Sequence, residues 1–447
     1  MRRNRLILLL VLVVAGIIAI GILPTMMRKL PTRYAMRLPE PLQALALPVD
    51  SIPILPTIVA PDAAADLIAR DMPPPAIITS TPQTIAPTQS VTADAGSAPA
   101  TTLVVPSPTA APSPTVTPWP VPAAARMTGF THVYQEWNNC GPATMVMALT
   151  HFGRVHSQRD TARVLRPNPE DRNVTPSEMA QFVNAQENLR GMARVNGDLN
   201  LLKRFLTNDI PVIIEIGLDP PGEYRWLGWY GHYLLPIAYD DAAGQIWVYD
   251  SWLGTSEVPQ TNADPNGRVL SYDELESDWA QFNRSFIVLY GVEQESLVRD
   301  LLGEVTDDEI MWQRSLERAQ ADARREADNA FYWFNLGTSY NALGQFEEAA
   351  VAFDQARAIG LPWRMLWYQF GPYEAYYQTG RYEDIVLLAN TTLQDRPYFE
   401  ESFYYLGLAQ AALGDDTSAR ANLEKAVAFN PSFTPASDAL AGLSAGG

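Results

Sequence analysis

Hydrophobic positions fall into four textures along the chain. Eighteen consecutive apolar or glycine positions run from Leu6 to Leu23 behind Arg2, Arg3 and Arg5, close to the ~20 residues that cross a bilayer. The run exceeds the roughly 7–15 residues of a secretory signal core and no small-x-small site directly follows it, which predicts a signal anchor rather than a cleaved signal. Arg28, Lys29, Arg33 and Arg37 follow the span and compete with the three arginines before it, so charge counting leaves its orientation open. Between Pro41 and Pro122 periodicity vanishes: 18 of the 36 prolines lie here, among Ala, Thr, Ser and Val, with Trp119 the one aromatic residue. Such a stretch cannot bury enough surface to fold and predicts a disordered linker over 40–126 that holds the following domains outside the cytoplasm.

From Met127 the pattern is globular. Met145, Ala148, Leu149 and Phe152 recur at helical spacing and stop at Gly153, placing Cys140 just ahead of a core helix with Pro142 in its first turn. Thr175-Pro176-Ser177-Glu178 is a capping box opening a helix to about Glu187, and Asp198 to Leu206 predicts another. Strands are expected at Pro211 to Ile216, Tyr233 to Tyr239, Ile246 to Tyr249 and Ser285 to Tyr290, with a turn over Asp240 to Gly244. Helices first and an antiparallel sheet afterwards is an α+β order, assigned to 127–292.

The last texture repeats itself. Trp333-Phe334-Asn335-Leu336-Gly337-Thr338-Ser339-Tyr340 reads W-x2-L-G-x2-Y, followed by Gly344, Phe346, Ala349, Phe353, Ala356 and Pro362, the tetratricopeptide pattern. Gly344, Gly380 and Gly414 lie 36 and 34 residues apart, and Pro362, Pro397 and Pro431 lie 35 and 34 apart. Three repeats with a C-terminal cap fit 330–447, the middle one degenerate because Pro372-Tyr373 stands where Leu-Gly is expected, with a connecting helix over 293–329. An all-α solenoid of this kind offers its concave face to a peptide or protein partner.

Charge narrows the functional classes. The net charge of −18 is concentrated from Glu293 onward, where 24 acidic and 11 basic side chains leave −13, so nucleic acid is not expected as a partner. A single cysteine permits no intramolecular disulfide, and no Cys/His cluster of zinc spacing occurs, so no metal or cofactor is expected.

That cysteine carries the candidate chemistry. A lone cysteine is usually a small buried apolar residue, but Gln135-Glu136-Trp137-Asn138-Asn139-Cys140-Gly141-Pro142-Ala143 sets this one at a helix head. Gly141 leaves the sulfur approachable, and unpaired backbone amides there favour a thiolate and a developing oxyanion. A base is needed to take the thiol proton. His132 lies before the helix and His151 and His156 lie at or beyond its far end, which leaves His232. If Tyr239 pairs with Gln245 across a five-residue loop, Asp250 falls opposite Leu234, one same-face step from His232 and within reach as the group that orients its imidazole. Gln135 could donate its side-chain amide to an oxyanion, while Asn138 and Asn139 are expected to bond the local backbone. Trp226, Trp229 and Tyr230 are either cleft walls or ordinary packing.

The segment Tyr134-Gln135-x4-Cys140-Gly141-Pro142-Ala143, with Gly231-His232-Tyr233 and Val248-Tyr249-Asp250-Ser251, resembles the papain-like cysteine peptidase family 39, whose members include domains that remove double-glycine leaders from bacteriocin precursors. The resemblance spans roughly Met127 to Val292 and implies a papain-like α+β fold with Cys140 as nucleophile, His232 as base and then acid, Asp250 as orienter and Gln135 as oxyanion donor. The glutamine-to-cysteine spacing of five is one shorter than in the transporter-linked members. No Gly-x4-Gly-Lys-Ser/Thr phosphate loop and no multi-span region accompany it, so export-coupled processing is not implied.

Together these features lead us to expect a cell-membrane protein, single-pass, with residues 1–39 holding its cytoplasmic tip, anchor and flank, and with its folded domains outside. Its chemistry is that of a cysteine peptidase acting on a peptide or protein substrate, beside repeats that recruit a partner. A catalytically silent peptide-binding scaffold, or a peptidyl or acyl transferase, would carry the same residues.

Overall fold

The computed structural model describes residues 54–70, 120–168, 170, 173–220, 228–256, 258–262 and 264–445. The expected span Leu6–Leu23 and its basic flank lie outside the described residues, among which no helix is long and apolar enough to cross a membrane.

A mixed α/β unit comes first and a helical region follows. All pairings in the sheet are antiparallel, in the order β2-β7-β3-β4-β5-β6, with β1 paired to β4. The strands are β1 (Ala124–Arg126), β2 (Leu189–Arg194), β3 (Val212–Leu218), β4 (Tyr230–Asp240), β5 (Gln245–Asp250), β6 (Arg268–Ser271) and β7 (Phe286–Gly291). The central strands are buried on both faces, so β3 reads as a continuous apolar run broken only by Glu215.

One face packs against α2 (Cys140–Thr150) and α4 (Pro176–Asn184), with Met145, Met147, Met179 and Val183 meeting Leu235, Ile237 and Ile287. On the other face, α5 (Leu199–Thr207), α6 (Tyr272–Ala280) and α7 (Glu295–Leu302) bring Phe205, Trp279 and Val298 against Ile214, Val248 and Val288. Local chemistry starts these helices as the sequence indicates: Thr175 and Glu178 form the capping box, and Asp198 caps α5. The order also holds elements that periodicity did not reveal, namely α3 (Gln158–Leu165), β2, β6 and α6. Three helices and a strand therefore separate Cys140 from β3, not two helices alone. Gly191 lets β2 lie against α4, where a Cβ would stand 2.8 Å from the Ala180 carbonyl oxygen.

Helix α8 (Asp308–Arg325) leads into three helical hairpins and a closing helix. These are α9 (Ala330–Ala342) with α10 (Phe346–Ile359), α11 (Gly371–Gln378) with α12 (Tyr382–Asp395), α13 (Glu400–Ala412) with α14 (Asp416–Phe429), and α15 (Thr434–Ala445). Gly337 and Gly407 allow close helix approach, since a Cβ there would stand 2.7 Å from Phe353 and 2.8 Å from Leu423. Tyr373 occupies the matching place in the middle hairpin. There the first helix is only 8 residues long against 13 in its neighbours, and a 3-10 turn, Trp363–Trp367, precedes it.

The linker expectation for 40–126 needs correction at two places. Residues Ile54 to Arg70, including α1 (Ala64–Ala69), fold onto the helical region: Leu55 and Leu67 are buried in its core, Leu55 N–H donates to the Leu361 carbonyl at 2.9 Å, and Gln320 Nε2 donates to the Leu67 carbonyl at 2.5 Å. Apolar groups at helical spacing fold there because a neighbouring unit covers them. At the other end, Ala124–Arg126 is strand β1, so the α/β unit begins before Met127.

Candidate active site

Cys140 opens α2 and is partly exposed, while Gly141 through Leu149 are buried. The helix is apolar nearly all round because sheet and helices enclose it, leaving only its two end residues, Cys140 and Thr150, partly exposed. Its first-turn N–H groups have no intrahelical acceptor and Pro142 has none to leave unpaired. Asn138 holds the left-handed turn into the helix with φ 57°. Asn139 does not cap the helix as expected; its Oδ1 accepts instead from Arg166 Nη2 at 2.6 Å, a buried bond that pins the start of α2 to the end of α3.

The partner histidine comes from β4. His232 is 4% exposed, and its Nε2 lies 2.9 Å from Asp250 Oδ1. With Nε2 engaged there, Nδ1 is the nitrogen left for a second partner, and the Cys140 side chain is close enough to help raise the imidazole pKa. Burial alone would lower the His232 pKa, but the Asp250 carboxylate and the bonds to Asp250 and Cys140 outweigh it and raise the value to about 9.

Asp250 reaches this position through a register that sequence counting obtained for the wrong reason. The expected five-residue loop with Tyr239 opposite Gln245 is not formed; Asp240 pairs with Gln245 across a four-residue loop. That register, continued unbroken, would set Asp250 opposite Leu235 and on the face away from His232. Between Pro236 and Ala238 the ladder slips, Ile237 is the additional residue, and beyond it Leu234 pairs with Asp250. A bulge is also where a proline fits within a central strand. The bulged carbonyl of Ile237 accepts from Met127 N–H at 2.8 Å.

Fully buried, Asp250 would have its carboxyl pushed up by desolvation. The His232 imidazole, Arg268 and the Leu253 amide oppose this and hold it well below the usual carboxylate range. Oδ1 accepts from Trp252 N–H (2.8 Å) and Leu253 N–H (2.9 Å) as well as facing His232, and Oδ2 accepts from Arg268 Nη1 at 2.9 Å. The Asp250 carbonyl also meets His132 Nε2 at 2.8 Å, so a histidine set aside on sequence position proves to brace the same aspartate.

Gln135 is tied to the residue after that aspartate. Its N–H donates to the Ser251 carbonyl at 2.7 Å, and its Oε1 accepts from Ser251 Oγ at 2.9 Å, which leaves the Nε2 amide as the end that can donate outward. Glu215, paired with Tyr233 across β3 and β4, is buried beside Cys140, and burial pushes its carboxyl up to about 8. The Tyr233 phenol gives its one proton to the Val174 carbonyl at 2.6 Å. Arg268 and Glu215 were not singled out from the sequence, His132 was weighed as a base and set aside, and Ser251, adjacent to the aspartate, lay inside a quoted motif.

The aromatic candidates divide differently. Trp226 lies outside the described residues. Trp229 is 3% exposed and stacked on Phe282 at 5.6 Å, and Tyr230 packs beneath Arg364, so both serve as packing against the helical region rather than as open cleft walls.

Comparison with known proteins agrees with this division of the chain. Residues 121–285 match the model of the Peptidase C39 like family, and residues 332–356 and 401–432 match two tetratricopeptide repeat models. Among solved structures the chain is similar to a C39-like peptidase from Bacillus anthracis, at 12% identity over 37% of this chain and 97% of that one, with a TM-score of 0.29. No curated protein matches it significantly.

Proposed function

From a chain that carries a C39-like peptidase domain ahead of tetratricopeptide repeats, we propose a cysteine peptidase that cleaves a peptide or other amide bond through an acyl-thioester on Cys140. The observation that carries the proposal is the buried His232–Asp250 pair, 2.9 Å apart, presented to the one thiol of the chain at the exposed head of a buried helix.

In this reading the Cys140 proton already resides on His232 Nδ1, as an imidazole titrating at about 9 requires at neutral pH, and the Sγ thiolate attacks the carbonyl carbon. The tetrahedral oxyanion lies against the first-turn amides of α2 and the Gln135 side-chain amide. Collapse breaks the C–N bond, and the leaving amine takes the proton from His232. Water then attacks the thioester, His232 accepts the water proton, and the acid departs as the Sγ thiolate is restored. Asp250 keeps the imidazole oriented and stabilises its cationic form. We further place the enzyme at the outer membrane surface on the span Leu6–Leu23, with the repeats recruiting substrate or partner, on the strength of the sequence pattern.

A peptide carrying a thiol-reactive electrophile tests the reading. Covalent labelling of the full chain, seen as a mass increase on the Cys140 peptide and lost in Cys140→Ser, is the expected result. A folded parent chain that resists labelling while binding the same peptide reversibly overturns the hydrolase reading.

A further inference from the structure

The middle hairpin departs from the repeat pattern where it meets the peptidase unit. A regular repeat, aligned on Gly344, Gly380 and Gly414, would run a 13-residue helix through residues 366–378; here α11 begins only at Gly371, behind the 3-10 segment Trp363–Trp367. The unwound turn aims two side chains at the backbone leading into His232. Arg364, 8% exposed, donates from Nη1 to the Trp229 carbonyl at 2.9 Å, and its guanidinium lies 3.9 Å from the Tyr230 ring centroid and within 5.1 and 5.4 Å of Trp363 and Trp367. Tyr368 closes against Gly231, where a Cβ would stand 3.0 Å from its ring and 2.8 Å from Phe282. Phe282 and Tyr368 meet edge to face at 5.8 Å, with Trp229 stacked on the former.

We infer that the degenerate middle repeat positions the start of β4, and hence His232, with Arg364 as the positioning residue. The inference deepens the peptidase reading and takes its functional meaning from it. His232 follows Gly231 directly, and β5 does not pair with β4 before Leu234, so on that side the ladder alone does not hold residues 230–233. The helical region supplies the missing support through a charge-assisted bond in a buried setting, the stronger kind of hydrogen bond. A break in the repeat consensus at a working contact is where local sequence rules are expected to yield.

The test uses the full chain with Arg364→Met, which keeps the stem but removes the donor, and Arg364→Lys, which retains one. Two measurements are made: the rate at which iodoacetamide alkylates Cys140, the only thiol, and the titration midpoint of His232 by NMR. With Arg364→Met, alkylation near neutral pH should slow about tenfold or more, and the midpoint should fall from about 9 toward the ordinary histidine value. In turnover, kcat should fall with KM little changed, and Arg364→Lys should recover most of each effect. A folded Arg364→Met chain with parental alkylation and midpoint overturns the inference. Should that variant fail to fold, Tyr368→Leu is measured in the same way with the same two outcomes. The midpoint needs no substrate, so a parent chain that never hydrolyses peptides sinks the peptidase reading without deciding this one.

Discussion

Two buried aspartates, one in each unit, show how a network built around a titratable group differs from one of permanent charges. Asp354 accepts both Nη atoms of Arg381 (2.6 and 3.0 Å) and the Tyr376 phenol (2.8 Å), beside Arg357, which pairs with Asp384 at 3.1 Å. The side chains of this cluster come from residues 354–384, with the Pro56 carbonyl accepting from Arg357 Nε at 3.1 Å, and every cation is permanently charged, so the cluster locks two hairpins and has no proton to move at neutral pH. Asp250 is equally buried and as fully partnered, yet one of its partners is a histidine that faces a partly exposed thiol. Its supports are gathered from residues 132 to 268. Long-range assembly around a titratable group is costly to maintain, and chemistry is the reason the fold would keep it.

Mutation should separate the two clusters. Cys140→Ala should abolish electrophile labelling and lower hydrolysis about 10⁴- to 10⁶-fold, with circular dichroism unchanged. Asp250→Asn should cost about 10²- to 10⁴-fold in hydrolysis and drop the His232 midpoint, since a neutral amide cannot stabilise the imidazolium; an unchanged midpoint would remove Asp250 from the mechanism. Asp354→Asn leaves Arg381 and Arg357 with Asp384 as their remaining anion and should cost about 1–3 kcal/mol in denaturant unfolding. Labelling of Cys140 well below the unfolding midpoint should stay parental, and a parallel fall would show that the clusters are one system. Arg268→Met should have the smallest effect, about tenfold in kcat, through a less firmly held Asp250.

Stability should also depend on pH in a stated direction. His232 titrates at about 9 in the fold and near 6.5 when unfolded, so its contribution is complete below about 6.5 and is lost as pH rises through about 9, on the order of 3 kcal/mol in all. Glu215 adds a loss of the same sign, because the unfolded carboxyl ionises from about 4.5 while the buried one holds its proton to about 8. Glu215→Gln should flatten the thermal-midpoint profile across that interval, and an unaltered slope would show that Glu215 is charged in the fold.

Much of this was legible in the residues themselves. The helix behind Cys140, the capping box at Thr175 and the glycines at 337 and 407 state local rules that tertiary contacts then obey. Asp250 was found on the correct face only because a loop taken one residue too long offset an unseen bulge at Ile237. Strand β2, Leu-Arg-Gly-Met-Ala-Arg, carries no clear alternation and exists because β7 pairs with it. Arg268 and Arg364 are ordinary surface-type residues in sequence; long-range packing alone brings the first to Asp250 and the second to Trp229. The same holds for Ile54 to Arg70, whose few apolar groups look too sparse to fold until a second unit covers them.

The contact of Leu55 with Leu361 and of Gly231 with Tyr368 sets a condition on synthesis. A ribosome releases Cys140, His232 and Asp250 before Arg364 and Tyr368, which pack against the start of β4. On the reading proposed above, a chain halted ahead of residue 364 would hold residues 230–233 by their pairing with β3 alone.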